Sequence, residues 1–264
     1  MPSGQTSVDH NPQPSDPEDG WPTIKLPAYP FLGDTSTDFG EHIAGEMAVA
    51  HNVIIRSINS LWHSAALISP KGHNDPTVLG YTGYALLTLK GLQEHHDSEE
   101  DVFFPALQRL GLNTMVEENV EQHRAFHDAM EELKAYLEGI QGGREVYEAQ
   151  KMRKLLKEFA DPLVKHLHDE IPTIRPEIMH KLDKAELDSI SRALLNFHKS
   201  RGELFTTVPY LVTAHDRREA PNWPPIPGFL KWLAGKVLYR WHSSYWQFAP
   251  YNFSGEPQKF SGQK

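Results

Sequence analysis

The sequence predicts an all-α protein, an antiparallel four-helix bundle followed by additional C-terminal helices. Apolar residues recur at steps of three and four along four long segments, about 39–68, 77–110, 113–139 and 145–180. This spacing is typical of a helix that buries one face. The links between the segments are short, and no segment alternates as a strand would. Long amphipathic helices joined by short links favour antiparallel packing.

Turn-forming residues mark where these predicted helices end. Pro70 and Gly72 follow the first segment, Gly111 ends the second, and Gly142 and Gly143 end the third. Glycine and proline at these places stop a helix because they disfavour its continuation. The apolar stripes between these breaks consist of Ile43, Met47, Ile54 and Ile58; Tyr81, Ala85, Leu92 and Phe103; Val116, Val120 and Met130; and Met152, Leu155, Phe159 and Leu163.

Composition divides the chain into three regions. Residues 1–38 are rich in Pro, Ser, Asp and Gly, which predicts a mostly disordered or loosely docked lead-in, with docking centred on 21–31. Residues 39–182 form the predicted bundle, and 183–264 a helical extension packed on it, with helices over 183–214 (interrupted near Pro209) and 228–241. The extension carries large aromatic side chains that we expect to cover the bundle: Trp223, Phe229, Trp232, Trp241, Trp246 and Phe248.

A second interpretation exists for the helix over 228–241. It carries Lys231, Lys236 and Arg240 beside apolar residues. A basic amphipathic helix of this kind can lie on a membrane surface instead of capping a bundle.

The overall composition excludes several classes of protein. With no cysteine in 264 residues, neither a disulfide nor a thiolate metal site can form, whereas histidine is frequent, at 15 residues. A formal net charge of −9 argues against nucleic-acid binding. The start of the chain lacks the apolar core of a secretory signal, and no apolar run reaches the roughly 20 residues that span a bilayer. We therefore expect a cytoplasmic protein without a transmembrane segment.

Each predicted bundle helix carries histidine on its apolar stripe. The set consists of His51, of His95 with Glu99, of His123 with His127, and of His166 with Glu170. Residues four apart lie on one helix face, about 6 Å apart along the axis, so each pair directs two donors to one point. Buried imidazoles and carboxylates are costly unless they are paired or bind a metal. The sequence therefore predicts a metal site in the bundle core.

The second helix offers two registers for its ligands. His96 with Glu100 has the same spacing as His95 with Glu99. The segments HHDSEEDVFFP and HLHDEIPTIRP match when His95 is aligned with His166, because each histidine is then followed by Glu at four and Pro at ten. This match favours His95 and Glu99 and places His96 outside the ligand set, with the opposite register left open.

These motifs resemble the hemerythrin and HHE-domain family, in particular a fungal-type branch. The resemblance covers about 40–180 and rests on three sequence segments: MAVAHNVIIRSINSLW, HHDSEED with FFPAL, and NVEQHRAFHDAMEEL. It implies two iron ions bridged by Glu99, Glu170 and an oxo or hydroxo group. It assigns three histidines to one iron and two to the other: His123, His127 and His166, and His51 with His95. Oxygen carriers of the family use Asp at a spacing of five where this chain has Glu170 at four, so iron binding is a firmer expectation than reversible oxygen carriage.

Three functions follow from this resemblance. The leading one is binding or activation of O2 at a nitrogen-rich diiron centre, for storage or sensing. The first alternative is a diiron oxygenase or oxidase that acts on a small organic substrate, and the second is an interaction module held together by a structural metal. Ferritin-like diiron enzymes use mainly oxygen donors, which separates them from this histidine-rich set. Oligomeric state is not predicted.

Overall fold

A computed structural model describes residues 17, 19–26, 39–72, 74–224 and 226–262. Within these ranges the regular secondary structure is helical, apart from an isolated bridge between Tyr251 and Pro257. The predicted all-α fold class is confirmed. None of the described helices is both long and apolar enough to cross a lipid bilayer. Most of the predicted lead-in, including 27–38, lies outside the described residues.

Four long helices form the bundle. They are α1 (Phe39–Ala65), α2 (Pro76–Ser98), α4 (Asn113–Gln141) and α5 (Ala149–Glu170). Helix α2 continues through a π-helical turn (Glu99–Phe103) into the short α3 (Phe104–Arg109). Helix α1 packs against α2 and α5, and α4 packs against the same two helices. This closed ring of neighbours is that of a four-helix bundle, and its axis is where side chains from all four helices meet.

The local sequence sets several helix ends. The carboxylate of Asp75 caps α2 by accepting a hydrogen bond of 2.8 Å from the Thr77 amide, and Pro76 occupies the first turn, where its missing N–H is not needed. Gly111 and Gly143, beyond the ends of α3 and α4, have φ values of 81° and 69°. Glycine adopts this left-handed conformation without the strain that a Cβ would add.

The fourth bundle helix is shorter than predicted. Helix α5 ends at Glu170, and a 3₁₀ turn (Ile171–Ile174) and the short α6 (Pro176–Met179) follow. The prediction of a continuous helix to about 180 is wrong: α5 accommodates the single Pro162, but it ends before Pro172 and Pro176, two prolines four residues apart that each lack the N–H of an α-helix. Glu170 therefore stands on the last turn of α5, where the chain leaves the bundle.

Short helices follow the bundle. They are α7 (Lys184–Arg201), α8 (Thr207–Ala214), and a helix over 228–241 built from α9 (Gly228–Leu233), a π-helical turn (Ala234–Leu238) and α10 (Tyr239–Trp241), then α11 (Ser243–Trp246). The predicted helix over 183–214 is interrupted at 202–206 and not at Pro209. Pro209 lies in the first turn of α8, where a missing N–H costs nothing.

The end of the extension packs into the core of the bundle. Trp246 and Phe248 are fully buried, with Phe248 edge-on to Tyr81 at 5.4 Å between ring centroids. Helix α11 lies close to α2 because α2 has glycine at the contact; a Cβ at Gly80 would lie 2.6 Å from the backbone carbonyl oxygen of Ser244. This contact needs a residue without a side chain.

Three aromatic residues of the extension do not cover the bundle. Phe229, Trp232 and Trp241 are 68%, 64% and 71% exposed. The expectation that they pack on the bundle is wrong, because the helix over 228–241 turns Ala234 and Leu238 inward and carries the aromatics on its opposite side.

The described part of the N-terminal region is fastened to α1. The amide of Trp21 donates to Asn59 Oδ1 (2.7 Å), and Asn59 Nδ2 donates back to the Trp21 carbonyl (2.8 Å). Ile24 makes the same two-way pair with Asn52, at 2.7 and 2.9 Å. Two reciprocal pairs of hydrogen bonds, between backbone and asparagine side chains, thus hold residues 19–26 against α1.

Ending the chain after Leu182 should give an aggregating or markedly less stable protein. Truncation removes Trp246 and Phe248 from the core and uncovers Tyr81 and Tyr84. Loss of one buried aromatic side chain costs about 3–5 kcal/mol, a large part of the stability of a domain. Soluble yield and melting temperature of the 1–182 fragment against the full chain are the measurement. A soluble fragment that melts at the same temperature would make the extension a separate unit.

Candidate metal centre

The bundle core contains a buried group of histidines and glutamates, which we call the polar cluster. Its members are His51, His95, His96, Glu99, His123, His166 and Glu170. Its two carboxylate side chains are buried, with Glu99 1% and Glu170 0% exposed. Six of the seven residues predicted from the sequence are thus brought together, and His96 joins them.

The polar cluster consists of two groups that share Glu99. Ligand atoms of His96, Glu99, His123 and His166 lie within 4.8 Å of one another, and so do those of His51, His95 and Glu99. The two oxygens of Glu99 point to different groups: Oε1 lies 3.0 Å from His95 Nε2, and Oε2 lies 3.5 Å from His123 Nε2. One carboxylate therefore spans both groups.

Glu170 spans the two groups from the opposite side of the bundle. Its Oε2 lies 3.3 Å from His51 Nε2 and 3.8 Å from His166 Nε2. One group thus has three histidines, the other has two, and both glutamates lie between them. Each group therefore combines imidazole nitrogens with carboxylate oxygens, the donors of a cation site without thiolate.

Hydrogen bonds orient three of the imidazoles. In each of them Nδ1 is bonded to an acceptor outside the cluster: His51 to the Leu167 carbonyl (2.8 Å), His123 to Glu100 Oε1 (2.7 Å) and His166 to Gln122 Oε1 (3.0 Å). A ring that donates from Nδ1 carries its lone pair on Nε2. All three Nε2 atoms therefore face the cluster as potential metal ligands, as in most protein metal sites.

Most of the inward-facing atoms have no hydrogen-bond partner. These atoms are Nε2 of His51, His95 and His96 and both carboxylate oxygens of Glu99 and Glu170. A buried polar atom without a partner costs free energy, and a buried carboxylate costs more. Because seven such atoms converge here, they fit cations as the missing partner.

Burial favours the neutral form of His95, His96 and His166. It lowers the pKa of His95 to about 4 and that of His166 to about 3. Neutral imidazole is the form that binds a metal, so these rings need not lose a proton near pH 7. Burial and the neighbouring Glu170 raise the pKa of Glu99 well above its usual range. Burial would raise the pKa of Glu170 as well, but its interactions with His51, His166 and His95 together outweigh burial and lower that pKa to about 2.

His96 lies inside the polar cluster, against the expectation that it stands outside. It is 6% exposed, and its ring stacks on His123 with centroids 4.1 Å apart. Counted from Leu92 at about 100° per residue, His95 is rotated about 60° to one side and His96 about 40° to the other. Both histidines flank the same stripe, so His95 and His96 are not alternatives: the structure buries both of them in the cluster. Helix α2 supplies both rings, one to each group.

His127 lies outside the polar cluster, and its predicted position on the inner face is wrong. Its side chain is 59% exposed, and the nearest charged partner is Asp128, 3.5 Å from Nδ1. The buried stripe of α4 passes from His123 to Phe126 and Met130 and drifts away from His127. The phenyl ring of Phe126 takes the inner position, 5.7 Å from the ring of His166. The ligand role of the remaining predicted residues stays a prediction.

Two orienting residues were not assigned this role from the sequence. Glu100 appeared there as part of the alternative ligand register, but it hydrogen-bonds the outer nitrogen of His123. Gln122, which accepts from His166 Nδ1, was not singled out. The sequence feature that could have indicated it is a polar side chain directly before the inward-facing His123. A π-helical turn over Glu99–Phe103 begins at the shared carboxylate, a feature frequent at functional sites.

Glu100→Ala should weaken metal binding about 10–100-fold, the usual effect of removing a carboxylate that orients a metal-binding histidine. The His123 ring would lose its 2.7 Å hydrogen bond and its fixed tautomer. Competition with a chelator of known affinity measures the change. Glu121→Ala is the matched control, because Glu121 is 76% exposed and pairs with Arg124. Equal loss in both variants would contradict an orienting role.

Comparison with known proteins places this arrangement in a family. The model of the hemerythrin HHE cation-binding domain matches residues 42–178, just over half of the 264 residues. The chain therefore belongs to the hemerythrin HHE family, and the polar cluster lies within the matched domain.

A curated relative is similar over most of the chain. It is the dimeric xanthone biosynthesis cluster protein R11 of Cryptosporiopsis sp. (strain 8999), 28% identical over 243 residues, which cover 90% of this chain and 89% of that protein. The similarity extends well beyond the HHE domain and so includes part of the extension. No solved structure matched the chain.

Proposed function

We propose that the chain holds two iron ions at the polar cluster and binds or activates O2 there. The observation that carries this proposal is the pair of donor groups that share Glu99 and Glu170, with seven buried donor atoms left without hydrogen bonds. A single ion would leave several of these atoms uncompensated. Imidazole nitrogen with bridging carboxylate suits iron, with manganese the next candidate. Membership in a cation-binding family supports a metal at this place.

The unequal donor groups support a role for O2. The group of His96, His123 and His166 offers one more nitrogen than the group of His51 and His95. The two-histidine position would therefore have a free coordination place once both ions are bound. The cluster is deeply buried, and the His95 side chain, 12% exposed, is its most accessible member. This burial favours a small ligand such as O2.

Chemistry on a small organic substrate is the second candidate. The relative's name associates it with a xanthone biosynthesis cluster, and an oxygenase or oxidase would use the same centre. In this chain α7 contacts α2 and the π-helical turn beside His95, where Arg201 pairs with Asp97 and lies 3.5 Å from Asp101. Arg201→Ala would remove these ion pairs and loosen α7 beside His95, the most accessible member of the cluster. Uptake of larger ligands by this variant would favour the second candidate.

Anaerobic loading with ferrous iron followed by O2 tests the proposal. We expect an O2-dependent visible absorption band in the wild-type chain and in His127→Ala, but not in His51→Ala, which lacks a donor of the two-histidine group. Reversal of the band under vacuum would indicate binding, and irreversible oxidation would indicate activation. Bound iron without any response to O2 would leave a structural metal as the function and overturn the proposal.

A further inference from the structure

The helix over 228–241 presents an outward stripe that we call the aromatic basic face. It consists of Phe229, Trp232, Lys236, Val237, Arg240 and Trp241. The four apolar members are 68%, 64%, 50% and 71% exposed, and the two cations are also exposed. Phe229, Trp232, Lys236 and Arg240 follow one another at steps of three or four residues, and Val237 and Trp241 lie one residue further along, so the face takes up about half of the helix surface.

Neighbouring residues enlarge this face. The ring of Phe205 lies 5.4 Å from that of Trp241, and Leu204 and Phe205 are 40% and 43% exposed. The helix is held to the body by its opposite side, where Ala234 and Leu238 pack in a small apolar cluster. The aromatic basic face is therefore not needed to anchor the helix. A contiguous exposed apolar patch of this kind marks an interaction surface.

The charge around the face is opposite to that of the whole protein. The chain has 35 Asp and Glu residues and a net charge of −9, yet residues 220–255 contain no carboxylate side chain. Two nearby acidic residues are paired elsewhere, since Glu203 pairs with Lys90 and Glu219 with Arg56. The face thus combines exposed tryptophan with uncompensated positive charge.

We propose that the aromatic basic face docks on an anionic phospholipid surface, with the helix lying in the interface and not crossing it. Tryptophan favours the headgroup region of a bilayer, and Lys or Arg beside it can reach lipid phosphates while their stems remain in contact with apolar groups. A symmetric dimer through the same face would place two sets of Lys236 and Arg240 in one interface to which residues 220–255 bring no carboxylate. That repulsion favours lipid over a second copy of the chain. The proposal is independent of the metal centre.

Co-sedimentation of the full chain with vesicles tests the docking. Binding to vesicles of phosphatidylcholine with phosphatidylserine should exceed binding to phosphatidylcholine alone at least about tenfold, given the attraction of each cation to an anionic surface. Brominated phospholipid should quench the emission of Trp232 and Trp241. The other four tryptophans, Trp21, Trp62, Trp223 and Trp246, are at most 8% exposed and should be quenched little.

Two face variants and one control separate the contributions. Trp232→Ser with Trp241→Ser, and Lys236→Glu with Arg240→Glu, should each reduce vesicle binding at least about tenfold. Arg124→Glu with Lys154→Glu changes the net charge equally at bundle positions 73% and 72% exposed and should leave binding intact. Unchanged circular dichroism would show that all three remain folded.

Three outcomes would overturn the proposal. The first is no preference for anionic vesicles, and the second is equal loss of binding in the control. The third is a dimer in sedimentation velocity that the tryptophan substitutions dissociate while vesicle binding is absent. Because the proposal depends on the helix over 228–241 and not on the polar cluster, failure here leaves the proposed metal centre unaffected.

Discussion

Replacing His96 by alanine should weaken metal binding at the three-histidine group by at least about 100-fold, whereas His127→Ala should leave it unchanged. His96 is 6% exposed and stacks on His123. Loss of a direct ligand should cost at least as much as loss of an orienting partner, which is about 10–100-fold. His127 is 59% exposed and has no contact with the cluster among the described interactions.

Ferrous affinity, measured anaerobically by chelator competition, distinguishes the two variants. The comparison is matched because both substitutions remove an imidazole, one from inside and one from outside the cluster. The His96 variant should retain the ion at the group of His51, His95 and Glu99, because this group loses no donor. Its affinity should fall, because Glu99 is shared with the damaged group. Metal loss in His127→Ala with full binding in His96→Ala would mean that α4 and α2 are rotated relative to the structure described here.

Saturation with ferrous iron should raise the melting temperature by on the order of 10 °C. A ligand that binds the folded state contributes about 4 kcal/mol at a free concentration of 1,000 Kd. For a chain of 264 residues each kcal/mol corresponds to about 2–4 °C. The physical source is the compensation of buried donors that otherwise lack partners. Anaerobic differential scanning calorimetry at several iron concentrations measures the gain.

Glu99→Gln is the control for this stabilisation. Burial and the nearby Glu170 raise the pKa of Glu99, which favours its neutral form in the metal-free protein. Glutamine has nearly the same shape and no charge, so the metal-free variant should melt close to the wild type. Its iron-dependent gain should be largely lost, because an amide is a poor bridge between two cations. A full gain in this variant would show that Glu99 does not bridge.

The fold could be predicted from the sequence because its elements are long and periodic. Apolar stripes, glycine stops and short links determine the four bundle helices. The α5 boundary was missed because the stripe continues past Pro172 and Pro176, although these residues cannot donate the backbone hydrogen bonds that an α-helix requires. Periodicity alone reports the buried face and not the helix type.

Membership of the polar cluster was predictable except where two candidates lie close in angle. His95 and His96 differ by about 100° around α2, and a stripe between them buries both. His123 and His127 look equivalent by spacing, but the heptad-like drift along α4 buries Phe126 in place of His127. Which side chains this drift buries depends on how α4 packs on α2 and α5. That packing cannot be predicted from a local sequence motif.

The extension was the least predictable region. Its aromatic content indicated burial, and Trp246 and Phe248 are buried, but Trp232 and Trp241 face outward. Hydrophobicity identifies surface that must avoid water and does not identify what covers it. A short helix attached by Ala234 and Leu238 leaves its larger side chains available for another surface.

The number of ferrous ions bound per chain tests the central claim most directly. Equilibrium dialysis under anaerobic conditions, followed by elemental analysis, should give a value approaching two for the full chain. Two ions follow from the two donor groups that share Glu99 and Glu170. A stable value of one, unchanged by His51→Ala or by His96→Ala, would contradict a two-metal centre at this place.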